Sequence, residues 1–150
     1  MTPTPGNSDS PPAIWALTVK LVCNMHTEEP WEAVIEISPF DTLDDLHYAI
    51  QDAVEFDDDH LYEFFVARGR RSRNRVRFTE ENYGLDESIG DAYPDIKNYK
   101  LFYLFDYGDD WLFEVSKGRR KPRLAEEGVE YPRMVSESGK KPEQYPDEEW

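Results

Sequence analysis

Cysteine is nearly absent: Cys23 stands alone in a chain of 150 residues, which leaves no disulfide framework and no Cys-based zinc cluster. A cytoplasmic, reducing location suits such a chain. Basic residues are scarce as well, with 17 Lys plus Arg against 32 Asp plus Glu and a net charge of −15. A surface this negative repels polyanions at long range, screened only beyond about 8 Å at physiological salt, so nucleic acid is a disfavoured partner. No apolar run approaches the roughly 18 residues needed to cross a bilayer. The first twelve residues hold no basic residue and no apolar core of the kind a secretory signal uses. Neither membrane spanning nor secretion is expected. The sequence also has no G-x-x-x-x-G-K-[ST], no G-x-G-x-x-G, no H-E-x-x-H and no G-x-S-x-G. Nucleotide hydrolysis, dinucleotide redox chemistry and the common hydrolase mechanisms thus lack their signatures, and no cofactor is expected.

What is present is aromatic and apolar area: 8 Phe, 9 Tyr and 4 Trp, enough to offset the ordering entropy of one domain. Of the 11 prolines, only Pro30, Pro39 and Pro94 lie in the middle. Residues 1–12 read as a disordered leader, 13–123 as one domain, and 124–150 as a tail that is either a partly ordered strap or disordered. Residues 14–22 and 31–37 alternate apolar and polar, which predicts two strands joined as a hairpin. Ser38 and Pro39 break it. Asp41 or Thr42 then offers a helix cap, and Leu43, Leu46, His47, Ile50, Ala53 and Val54 recur at helical spacing. The carboxylates of Asp57 to Asp59 are expected to end that helix. Further strands are predicted at 61–67, 76–78, 99–107 and 111–116, with a loop and one helical turn at 84–96. Strands flanking a single main helix imply an α+β fold, a mixed or antiparallel sheet packed on that helix and β-grasp-like in arrangement. Its inner surface is expected from Trp15, Ile35, Phe64 and Phe102 or their neighbours.

Several motifs stand together in this order: DTLDDLHYAI from Asp41, DDDHLYEF from Asp57, LFYLFDYGDDW from Leu101 and YPRMVSESGKKPEQ from Tyr131. The combination resembles the plasmid pRiA4b ORF-3-like family, also labelled a transposon-associated TnpR-type group. The resemblance implies an α+β fold, a link to plasmids or other mobile elements, and little defined chemistry. Members of the family typically carry His-Leu-His-x-Phe where this chain has His60, Leu61, Tyr62, Glu63 and Phe64, and a basic residue where it has Glu32. The Cys-containing tail pattern of many relatives is replaced by Ser138 to Lys141.

Three groups of residues invite a functional reading. Imidazole and carboxylate side chains suit zinc, manganese or iron, which makes His47, His60 and Asp109 candidate metal ligands of a water-activating hydrolase. No histidine pair one helical turn apart supports that reading, and His47 lies on the apolar stripe where a bonded core histidine is the usual outcome. Tyr107 and Trp111 flank the turn at Gly108, where they serve turn and core or present aromatic anchors to a partner. The third group is charge: residues 14–67 hold thirteen acidic residues against Lys20, a local net of −12, whereas Arg68, Arg70, Arg71, Arg73, Arg75 and Arg77 crowd ten positions. That basic turn either pairs with the acidic face or supplies phosphate contacts. Ser72 inside it does not make a serine recombinase, since the catalytic scaffold and helix-turn-helix are missing. The expected function is a non-enzymatic binding module for a protein partner. Arg70, Arg71, Arg73, Arg75, Tyr107 and Trp111 form its contact surface. The metal-dependent hydrolase and nucleic-acid binding through the Arg68 to Arg77 loop stand as alternatives.

Overall fold

The computed structural model describes residues 13–118 and 120–145; the expected disordered leader and the last five residues lie outside them. Its framework is an open sheet of eight strands. Strands β1 (Ala13–Cys23) and β2 (Trp31–Ile37) form the predicted hairpin, pairing Leu17 with Ile35 and Val19 with Ala33. The turn between them is closed by Asn24, whose Oδ1 accepts from the backbone N–H groups of His26 and Thr27 at 2.7 and 2.8 Å. Helix α1 (Leu43–Val54) follows. Of the two cap candidates, Thr42 serves: its hydroxyl accepts from the Asp45 N–H at 3.1 Å, and the Asp45 carboxylate accepts from the Thr42 N–H at 3.0 Å. Such a reciprocal box satisfies two donors that a helix start leaves unpaired.

The helix ends two residues before the Asp57 to Asp59 run. Glu55 turns left-handed with φ 62°, and the Gln51 carbonyl accepts from both the Glu55 and Phe56 N–H groups. Repulsion at the helix end is therefore not the stop. Phe56, 8% exposed, turns back into the core. Strands β3 (Tyr62–Ala67) and β4 (Val76–Phe78) form a second hairpin around the arginine-rich turn. A 3-10 turn at Gly84–Asp86 and the short helix α2 (Ile89–Ala92) lead to β5 (Lys100–Phe105) and β6 (Trp111–Ser116). The 124–150 segment supplies β8 (Arg133–Gly139), which pairs along β2, while β7 (Arg123–Leu124) pairs with the start of β1.

The strand order is β4-β3-β5-β6-β1-β2-β8, with β7 beside β1, and every pair is antiparallel. The mixed-sheet alternative is thereby excluded. Likeness to a β-grasp reduces to a helix across one face, because the chain leaving α1 places β3 beside β5 and not beside β1.

One face of the sheet packs on α1: Leu17, Val19, Ile35, Phe64, Tyr103 and Phe113 share a cluster with Leu43, Leu46, Ile50 and Val54. Phe102 is not part of it. It faces the opposite side with Phe65, Ala67 and Leu112, since successive side chains of a strand point to opposite faces. In a run as apolar and aromatic as residues 101–105 of β5, that parity is invisible in the sequence. The second face is covered by the arginine turn: the Arg75 guanidinium lies 3.9 Å from the Phe65 ring centroid, and Arg70 donates to the Val22 carbonyl at 3.2 Å. Among the described residues no helix is long and apolar enough to cross a membrane.

Candidate functional site

The first two turns of α1 place Asp44, His47 and Tyr48 on one side of the helix, as spacings of three and four residues require. Opposite them stands the loop between β4 and α2, built around Asn82. Its Oδ1 accepts from the N–H groups of Thr79 and Gly84 at 3.0 and 2.8 Å, and its amide donates to the Arg77 carbonyl at 3.0 Å. This loop carries Glu80, Tyr83, Leu85 and Asp86. Asp58 and Tyr62 complete the wall, and the nine residues enclose an open cleft of about 490 Å³. Tyr48 and Tyr83 stand at its rim, 52% and 81% exposed.

At the floor of the cleft lies a relay of polar side chains. His47 is fully buried, and its ring is parallel to that of Tyr62 with centroids 3.5 Å apart. Gln51 Nε2 donates to the Tyr103 hydroxyl oxygen at 3.0 Å, so the single hydroxyl proton is available for His47 Nδ1 at 2.5 Å. Nε2 then carries the imidazole proton and donates to Asp58 Oδ1 at 2.8 Å. Burial lowers the His47 pKa, opposed by the Asp58 carboxylate, and a neutral ring is what this tautomer needs. The Tyr62 hydroxyl donates to Asp44. Burial and that carboxylate raise the Tyr62 pKa, and Asp44 foremost raises that of Tyr48. The Tyr48 shift reports the negative charge around Asp44, whereas that of Tyr62 reports burial first and the same carboxylate second. Among the described residues, Glu80 and Asp86 have no cationic partner within ion-pair distance.

The residues singled out from the sequence are distributed differently. His47 bonds Asp58, His60 lies 3.5 Å from both Asp59 and Asp106, and Asp109 lies 3.2 Å from His26. The side chains of the three candidate metal ligands thus have different partners, although the Asp109 N–H donates to the same Asp106 carboxylate that faces His60. No group of three or more His, Cys, Asp or Glu side chains among the described residues converges on a point suited to a metal ion. Trp111, expected at the surface, is fully buried against Phe56, with ring centroids 5.0 Å apart. It lies on the helix-facing side of β6, and a wholly buried indole anchors the core, not a partner. Tyr107 remains partly exposed but donates to Glu63 at 3.1 Å, beside the Arg77 guanidinium that grips the same carboxylate at 2.6 Å.

Arg75 donates to the backbone carbonyls of Ser72 and Arg70 at 2.9 and 3.0 Å, and Arg70 is committed to Val22. Arg68 lies over the Tyr99 ring at 5.3 Å. Most of the arginine turn therefore serves the fold, leaving Arg71 and Arg73 exposed. The cleft residues Asp44, Tyr48, Asp58, Tyr62, Glu80, Tyr83 and Asp86 were not predicted as a site. The spacing of Asp44, His47 and Tyr48 on one helix was a usable signal, but nothing local links them to Glu80 or Tyr83.

A family model described as plasmid pRiA4b ORF-3-like protein matches residues 16–146. Among solved structures, the chain is similar to the crystal structure of the protein of unknown function MM3350 from Methanosarcina mazei Go1. The TM-score is 0.65, with 23% sequence identity, covering 85% of this chain and 71% of that one. At this identity the likeness concerns the fold. No curated protein matches the chain.

Proposed function

The chain belongs to the plasmid pRiA4b ORF-3-like family, and we propose that it is a non-enzymatic binding module whose cleft takes cationic side chains of a protein partner. The observation that carries this reading is the juxtaposition of Glu80 and Asp86, which have no cationic partner among the described residues, with the exposed Tyr48 and Tyr83 around one open cleft. An ammonium or guanidinium group gains from both partners there. Aromatic faces attract cations by about 0.5–2 kcal/mol, and each carboxylate adds a charge pair of about 0.2–1 kcal/mol where water has access. The net charge of −15 extends the attraction outward and raises the encounter rate of a basic partner. Support for a non-enzymatic role comes from His47, the one imidazole on the floor. Both of its ring nitrogens are committed, to Tyr103 and to Asp58, so neither is free to take a substrate proton. A cytoplasmic location, with Cys23 reduced, goes with this reading.

Calorimetry with a lysine-rich decapeptide and its fully acetylated counterpart tests it. The charged peptide binds and the acetylated one does not. Glu80→Gln with Asp86→Asn weakens binding about tenfold, as two charge pairs removed together would. Equal binding of both peptides, or full affinity in the double variant, overturns the proposal.

A further inference from the structure

The tail reaches the cleft from behind. After β8, Lys141 donates to the Ala53 carbonyl at 2.9 Å and lies 3.2 Å from both Glu55 and Glu137. A cation is thereby set at the negative end of α1, which has no basic residue in its own last turn. Gln144, 8% exposed, then accepts from the Asp57 N–H at 2.6 Å and donates to Asp59 Oδ1 at 2.9 Å. The Tyr145 hydroxyl donates to Asp59 Oδ2 at 2.6 Å and lies 2.9 Å from His60 Nε2. Between the two gripped residues sits Asp58, left-handed at φ 54°, with its carboxylate turned inward to His47. Aspartate is one of the few non-glycine residues that adopt this conformation at modest cost, so the direction of its carboxylate is set by its contacts. Here the tail fixes its outer neighbours while His47 fixes its side chain.

We infer that Gln144 and Tyr145 are positioning residues for the cleft: docked on Asp57 and Asp59, they hold Asp58 against His47 and so set the shape and charge of the cleft wall. The consequence for cation affinity rests on the function proposed above, whereas the positioning itself does not. A segment near the end of the chain is thereby coupled to the binding site, and whatever lifts it loosens the site.

Proton NMR of the full chain reads the positioning without any ligand. In the parent protein His47 Nε2–H, hydrogen-bonded to Asp58 and shielded from water, gives a downfield imidazole resonance. Gln144→Ala combined with Tyr145→Phe broadens or abolishes it, and Tyr145→Phe alone has a smaller effect in the same direction. Glu126→Gln weakens the contacts of Arg123 and Arg133 but touches neither the 140–145 segment nor Asp57 and Asp59, and it leaves the resonance in place. With the lysine-rich decapeptide, the double variant binds about threefold to fivefold more weakly, the weight of one partly exposed charge pair. An unchanged His47 resonance in the folded double variant overturns the inference. Loss of the resonance in a protein whose parent ignores the peptide upholds the positioning and removes the cation reading alone.

Discussion

Replacing Tyr103 by Phe removes one oxygen from the middle of the buried relay and nothing else. That oxygen serves two neighbours: Gln51 Nε2 donates to it at 3.0 Å, and its own proton goes to His47 Nδ1 at 2.5 Å. Tyr103 is fully buried, so no water replaces it, and a buried polar group stripped of its partner costs about 1–3 kcal/mol. Rotating the Gln51 amide gives no relief, because Gln51 Oε1 already lacks a partner among the described residues and would then face a phenyl edge. The expected loss is about 3 kcal/mol for the two groups together, or roughly 6–12 °C in Tm for a domain of this size. Tyr48→Phe is the control. Its hydroxyl reaches solvent, and the expected change is within about 0.5 kcal/mol. Equilibrium urea unfolding followed by Trp fluorescence measures both variants, with an unchanged m-value confirming that the same surface is exposed. If Tyr103→Phe proves as stable as Tyr48→Phe, the relay does not hold the core together as described.

Acid is expected to weaken the fold through His47. Burial sets its folded pKa below the unfolded value near 6.5, so the unfolded chain binds the extra proton first as pH falls. Stability is full above pH 6.5 and declines from there toward the folded pKa. His47→Asn lowers stability overall but flattens that decline, and a parent protein whose stability rises from pH 7 to pH 5 would contradict the assignment. At the end of β8, Gly139 has φ 87°, and a Cβ there would collide with the Pro30 carbonyl oxygen. Gly139→Ala therefore costs about 2 kcal/mol or more, and hydrogen exchange should show β8 opening first. An alanine variant with unaltered protection in β8 would refute the docked tail.

Legibility from the sequence divides along physical lines. α1 was readable because its stripe and its Thr42 to Asp45 box are local signals, and β1 and β2 because their alternation marks one wet and one dry face. In β5 both faces are covered, by α1 on one side and the arginine turn on the other, so Phe102 and Tyr103 were indistinguishable in advance. β8 escaped because an edge strand carrying a bulge opposite Val34 and Ile35 has little burial to enforce a pattern. The position of Trp111 beside a turn suggests a surface anchor, whereas its strand parity sends it inward. The cleft was the least readable part. Tyr48 and Tyr83 lie on different elements, and only the path of the chain from α1 through the second hairpin sets them around one opening. The arginines were visible as a cluster, but their commitment to Val22, Phe65 and Glu63 appears only when the turn folds back over the sheet.

An amide and aromatic NMR titration of the full chain with the lysine-rich decapeptide addresses the cation-binding cleft directly. Saturable shifts are expected, confined to Asp44, Tyr48, Asp58, Tyr62 and the 80–86 loop and weakening as salt is raised. Shifts centred instead on Arg71 and Arg73, or none at all at millimolar peptide, would contradict this.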